Sequence, residues 1–282
     1  MAEPFETRHG VVYCTHDGVE LAGDLFLPES AGPHPVIIAV HGGGWRVGAR
    51  GSFHNWGQHL AARGIAVFSV SYRLAAKGKP TWPGAVHDIV AAVQYIRGEA
   101  GTLRIDPNRI GLLGASAGAH LSSLVALGTQ SGHFLGAYPK DKHADADAKV
   151  KVLAGVFGVY DMVANWNDFN RQTPGDNATE IFLGCPPMQD RKLYFEASPV
   201  NYATYANNKV AVFLSWGTQD DLVNVREQSE PFLLALKQAG FFARTAVVQG
   251  APHYWTGDPI DEPGSFTGFL APRLIRFLAE RL

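Results

Sequence analysis

Gly114-Ala115-Ser116-Ala117-Gly118 decides how this chain is read. The five residues stand between a short apolar run, Arg109 to Leu113, and a small, apolar stretch at helical spacing, Ala119 to Leu127. That context predicts strand, tight turn and helix, with Ser116 at the tip of the turn. A serine held there takes a strained backbone conformation. Only small residues two before and two after it let strand and helix pass so closely, which explains Gly114 and Gly118. The geometry presents a hydroxyl as a nucleophile. With 31 glycines in 282 residues the pattern also arises by chance, so it needs support from elsewhere in the chain.

That support lies upstream, where His41-Gly42-Gly43-Gly44-Trp45 directly follows the apolar run Val36 to Val40. Three glycines after a buried strand can turn successive backbone N–H groups toward one small volume, which is what an oxyanion hole requires. A phosphate-binding loop is the competing reading, and it fails. No Lys-Ser or Lys-Thr closes the run, and neither a second spaced glycine pattern nor an acidic residue at the dinucleotide-site distance follows.

Five stretches, HGGGW at 41–45, SYRL at 71–74, DPNRIGLLGASAGAHL at 106–121, GTQDDLV at 217–223 and APHYW at 251–255, run through most of the chain. Together, and in this order, they resemble the α/β-hydrolases of the esterase/lipase group that carry an HGGG loop. The likeness lies near the hormone-sensitive-lipase-like and kynurenine-formamidase-like branches. Ala115 stands where the first of these branches usually has an acidic residue, which draws the likeness toward the smaller formamidase-like and feruloyl-esterase-like relatives. The resemblance implies an α/β-hydrolase fold and hydrolysis of carboxylic esters through an acyl-enzyme, with neither metal nor organic cofactor.

A serine hydroxyl needs a base, and the base needs an orienting acid. Of eleven histidines, His253 lies just past the last apolar run, where the resemblance returns the chain to its serine in the order Ser, acid, His. Gly217, Asp220 and Val223 match the family's spacing of Gly, two residues, Asp, two residues, Val, which makes Asp220 the acid. Asp221 takes a frequent proline position and is expected to face solvent, while Asp161, after the preceding strand, is the alternative acid. The oxyanion donors are then the N–H groups of Gly43, Gly44 and Ala117. His41 is expected to brace the glycine loop and His120 to pack beneath the serine. His87, His133 and His143 read as structural or solvated. His54 and His59, five residues apart, fall on different sides of a helix and have no third ligand, so no metal site is expected. Arg73 and Asp88 are expected to form a buried pair.

Composition fits one α/β enzyme domain spanning 1–282. A net charge of -2 with both signs scattered offers no field for nucleic acid or an anionic membrane, so the partner is a small molecule. The opening residues lack the basic and apolar segments of a signal peptide, and no apolar run approaches the ~20 residues of a membrane span. A cytoplasmic protein is expected, and nothing here opposes a homodimer. Cys14 and Cys185 have no paired spacing and read as packing residues.

Apolar runs alternate with helical patterns, as in a mostly parallel central sheet with helices on both faces. An edge hairpin, Gly10 to Thr15 and Glu20 to Leu27, leads into core strands from Val36, Ile65, Arg109, Val152, Val210 and Arg244. Two polar stretches, 128–149 and 162–208, are long for connectors and read as cap or lid segments. The second carries Trp166, Phe169, Phe182, Tyr194 and Phe195. Trp45, Phe157, Tyr160, Trp166 and Phe182 are the expected substrate pocket, an apolar site for esters of small or aromatic acyl groups. An arylformamidase acting on N-formylkynurenine-type amides is the alternative enzyme. A non-catalytic ligand-binding protein on a hydrolase fold is the alternative of another class, and it predicts a missing Ser or His.

Overall fold

A computed structural model of the chain describes residues 3–282. Strands β1 (Phe5–His16) and β2 (Val19–Pro28) form the antiparallel hairpin, and β3 (His34–Val40), β4 (Ala66–Val70), β5 (Ile105–Ala115), β6 (Val152–Val156), β7 (Ala211–Gly217) and β8 (Ala243–Val248) follow. One eight-stranded sheet results, in the order β1-β2-β4-β3-β5-β6-β7-β8, parallel from β4 onward.

The central strands are continuous apolar runs because both of their faces are buried. Their period of two divides them between two cores. Val36, Ile38 and Val40 of β3 enter one core, with Ala66, Phe68 and Val70 of β4. Ile37 and Ala39 enter the other, with Val67 of β4. Helices α2 (Gly84–Gly98), α3 (Ala117–Gly128) and α7 (Ser229–Gln238) cover the first face. Helices α1 (His54–Ala61) and α8 (Phe266–Arg281) cover the second through Trp56, Leu60, Leu274, Phe277 and Leu278. All twelve residues of α3 are buried, which its Gly, Ala and Ser content makes sterically feasible.

The stretch 162–208 is more regular than its polar composition predicts. It contains α4 (Met162–Gln172), α5 (Ala178–Leu183) and α6 (Arg191–Glu196), each started by a side-chain cap from Asp161, Asn177 or Asp190. The stretch 128–149 is mostly turns, and Tyr138 and Asp141 tie it to β1 and α2 by way of His16, Arg73 and Asp88. None of its residues lines the cavity at Ser116. No helix among the described residues is long and apolar enough to cross a membrane.

Candidate active site

Every polar residue of the site lies just beyond the carboxyl end of a parallel strand: 42–45 after β3, Ser116 after β5, Asp220 after β7 and His253 after β8. Such ends converge on one edge of a doubly wound sheet. Ser116 has φ 53° and ψ -121°, the strained turn expected between β5 and α3. The flanking glycines are sterically necessary. A Cβ on Gly114 would strike the Gly118 carbonyl, and one on Gly118 would strike the carbonyl of Val40 in the neighbouring strand.

The Ser116 Oγ lies 3.1 Å from His253 Nε2. On the far side of the ring, Nδ1 is 2.8 Å and 3.0 Å from the two Asp220 carboxylate oxygens. An ionised carboxylate only accepts, so Nδ1 carries the proton and Nε2 presents its lone pair to the serine hydroxyl. Both His253 and Ser116 are 5% exposed. The loops after β7 and β8 come together because Gly217 has no side chain; a Cβ there would meet the Ala251 carbonyl. Asp220 is aimed by the N–H groups of Leu222 and Val223, at 3.1 and 2.8 Å. Asp221 turns away from the imidazole ring and accepts a long 3.3 Å bond from the His253 backbone N–H. Asp161 is spent as the N-cap of α4, accepting from Val163 and Ala164 at 2.9 and 3.0 Å.

The glycine loop is held open by positive φ at three successive residues, Gly43 (113°), Gly44 (57°) and Trp45 (61°). The Gly43 carbonyl accepts from the Arg46 and Val47 N–H groups, closing the loop on itself. The N–H groups of Gly43, Gly44 and Ala117 have no acceptor among the described residues. His41 braces the loop: its ring stacks on Tyr72, and Nδ1 donates to the Gly42 carbonyl at 2.7 Å. Burial pulls the His41 pKa down, more than this hydrogen bond raises it. His120 links three parts of the site. Its Nδ1 accepts from the Trp45 indole at 3.1 Å and its Nε2 donates to the Ala197 carbonyl at 2.8 Å. Burial pushes its pKa down to about 4, so it is neutral and fixed in one tautomer.

A cavity of about 290 Å³ opens at Ser116, lined by Gly43, Gly44, Trp45, Arg46, Val47, Ala117, Val159, Phe169, Ala178, Leu222, Val223 and Tyr254. Of the five expected pocket residues, only Trp45 lines it. Phe157 is buried beneath, its ring 4.4 Å from His253, where it supports the imidazole. Tyr160 stacks on Phe232 at 4.2 Å in the core. Phe182 stacks at 4.9 Å on Trp45 and is fully buried behind it. Trp166 donates to Glu180 at 3.0 Å, joining α4 to α5. A large aromatic residue gains more from complete burial than from facing a water-filled cavity, and Phe157, Tyr160 and Phe182 are packed accordingly, while Trp166 is half-buried against the core outside the cavity wall. Phe169 is the one aromatic of 162–208 in the wall. Leu222, Val223 and Tyr254 were legible only as neighbours of Asp220 and His253 in sequence.

Two groups of metal-ligand type occur among the described residues, and members of each already hold other partners. His9, Asp24 and His54 cluster, but the Arg50 guanidinium already occupies Asp24 at 2.9 Å. Cys14 lies near His16 and Asp141, yet burial pushes its thiol pKa well up, and both His16 ring nitrogens already face carboxylates. His59, the other histidine weighed with His54, pairs instead with Asp261 at 3.0 Å.

A serine on a strained strand-to-helix turn, with His and Asp delivered by the loops after the last two strands, defines the α/β-hydrolase fold of the esterase/lipase family. The BD-FAE family model matches residues 24–236, and the chain belongs to that family. It is 29% identical over 211 residues to the probable carboxylic ester hydrolase LipM of Mycobacterium tuberculosis, covering 74% of this chain and 46% of LipM. It is 30% identical over 258 residues to the esterase LipC of the same organism, covering 87% of this chain and 58% of LipC. The chain thus spans about half the length of these curated relatives. The esterase Est2 of Thermogutta terrifontis has the same fold, with a TM-score of 0.76 at 22% identity over 98% of this chain and 92% of that one.

Proposed function

We propose that this chain is a serine carboxylesterase that cleaves esters of small or aromatic acyl groups by way of an acyl-enzyme. The observation that carries the reading is the unbroken relay from Asp220 through His253 to Ser116 at the foot of a mostly apolar cavity. The esterase names of LipM and LipC support it. Ser116 Oγ attacks the acyl carbon while His253 Nε2 takes its proton, and Asp220 stabilises the imidazolium. The oxyanion is received by the free N–H groups of Gly43, Gly44 and Ala117. His253 then returns the proton to the leaving alcohol, and water repeats the sequence to free Ser116. The substrate is a small molecule. Residues 162–208 act as a cap, Phe169 and Ala178 forming its inner wall. Residues 128–149 buttress the hairpin instead. The two unpaired cysteines suit the reducing cytoplasm.

The test is a panel of acetate, butyrate, octanoate and benzoate esters run alongside N-formylkynurenine, each scored by kcat/KM. Short-chain and benzoate esters should lead, and Ser116→Ala should lower turnover by up to about a million-fold with the fold intact by circular dichroism. A higher kcat/KM for N-formylkynurenine than for every ester would make the protein a formamidase. Wild-type activity in Ser116→Ala would refute the nucleophile.

A further inference from the structure

We propose that Tyr254 is the platform for the alcohol half of the substrate, and that the site prefers esters whose alcohol carries a rigid six-membered ring over those of a linear alcohol. The inference rests on the esterase reading above and names its substrate class.

Collapse of the tetrahedral intermediate breaks the bond between the acyl carbon and the alcohol oxygen, and the proton His253 took from Ser116 goes to that oxygen. The leaving oxygen must therefore come within hydrogen-bond reach of His253 Nε2, about 2.6–3.2 Å. The alcohol consequently sits beside the imidazole. Two aromatic rings flank that imidazole, each with its centroid 4.4 Å away. Phe157 is 2% exposed and packed beneath it against Trp255, closed to any ligand. Tyr254 stands edge-on to it at 83°, is 63% exposed, and lines the cavity.

The backbone under this ring is strained. Tyr254 has φ 62°, a left-handed conformation that bulky residues rarely adopt and that Gly or Asn would take without strain. Strained residues of this kind concentrate where a fold has a ligand to hold. Of the other aromatics in the wall, Trp45 is buried and Phe169 belongs to α4 and not to the histidine loop. Arg46 is the only charged residue in the wall, and Asp176 already pairs with it at 3.1 Å. Val47 and Leu222 are aliphatic. An exposed aromatic face attracts a rigid ring, whether the face of an arene or the C–H face of a cyclohexyl group or a pyranose, more than it attracts a flexible chain. Less rotational freedom is lost on stacking a rigid ring.

The experiment compares cyclohexyl acetate with n-hexyl acetate, which share an acyl group, a carbon count and nearly equal leaving-group basicity. In the wild type, kcat/KM divided by the hydroxide-catalysed rate should favour the cyclohexyl ester severalfold. Tyr254→Asn removes the ring and relaxes the backbone, and should reduce the cyclohexyl-to-hexyl ratio about tenfold. Tyr254→Phe keeps the ring and should hold the ratio within twofold of the wild type. Phenyl acetate and an acetylated methyl xyloside, measured in the same variants, distinguish arene from sugar by whichever falls further in Tyr254→Asn. An active wild type with no ring preference, or a ratio unmoved in Tyr254→Asn, overturns the platform alone. A wild type inactive on all four esters overturns the esterase reading, and the platform with it.

Discussion

Asp161 follows β6 and Asp220 and Asp221 follow β7, and hydrogen bonding separates their roles. Asp220 faces His253 Nδ1 and is itself oriented by two backbone N–H groups. Asp221 accepts from the His253 backbone N–H. Asp161 caps α4. Asp220→Asn should therefore lower kcat by on the order of ten-thousand-fold, since an amide at that position stabilises the wrong tautomer. Asp221→Asn should stay within tenfold. Asp161→Asn should leave kcat near the wild-type value, because Asn caps a helix as well as Asp does; Asp161→Ala should instead cost about 1 kcal/mol of stability, read as a lowered Tm. A larger kcat loss in Asp221→Asn than in Asp220→Asn would transfer the acid's role.

At the scale of elements, the glycine loop and the stretch 162–208 show why composition is an uneven guide. The loop was legible because only glycine accepts consecutive positive φ values cheaply, so its shape is written into its residues. The two glycines differ nonetheless. A Cβ on Gly43 would collide with the Val47 carbonyl, whereas one on Gly44 meets only the Ala178 Cβ at 3.7 Å. Gly43→Ala should therefore distort the loop and lower kcat at least about a hundredfold, the scale of one oxyanion donor, with KM moving less. Gly44→Ala should lose less, its cost being the left-handed backbone alone, about 1–2 kcal/mol. Steady-state kinetics on an acetate ester ranks the pair, and the reverse order would mean that the loop does not act through its backbone. The helices of 162–208 were harder to see because their interiors are polar. Their start signals were nevertheless present: Asp161, Asn177 with Glu180 three residues on, and Asp190.

Across the whole molecule, the hairpin, α2 and the 128–149 stretch meet at one buried polar node. His16 lies between Asp88 and Asp141, 2.8 Å from each, with the Tyr138 ring stacked 3.5 Å over it. Arg73 closes the node on Asp88 at 2.7 Å and also reaches Asp17, while His87 and Cys14 stand nearby. Burial alone would lower the His16 pKa, but the hydrogen bonds and charges of Asp88 and Asp141 outweigh it and raise the value above 6.5. A histidine whose pKa is raised by folding stabilises fully below the unfolded value near 6.5, and that contribution fades as pH climbs through the folded value. The Tm gap between the wild type and His16→Gln should therefore be widest near pH 5.5 and narrow toward pH 9. A gap that is constant or grows with pH would show that His16 acts there as a neutral packing group. The sequence by itself determined the strand-helix alternation, the serine turn and the glycine loop, because each depends on local periodicity or on a backbone conformation few residues tolerate. Tertiary structure alone decided which groups meet. Ser116 and His253 are 137 positions apart, and Asp220 is preferred over Asp221 by the direction each side chain takes from its turn. It also decided which aromatics face the cavity: Phe157, Tyr160, Trp166 and Phe182 pack into protein while Phe169 and Tyr254 line the wall, a choice set by packing that no run of residues encodes.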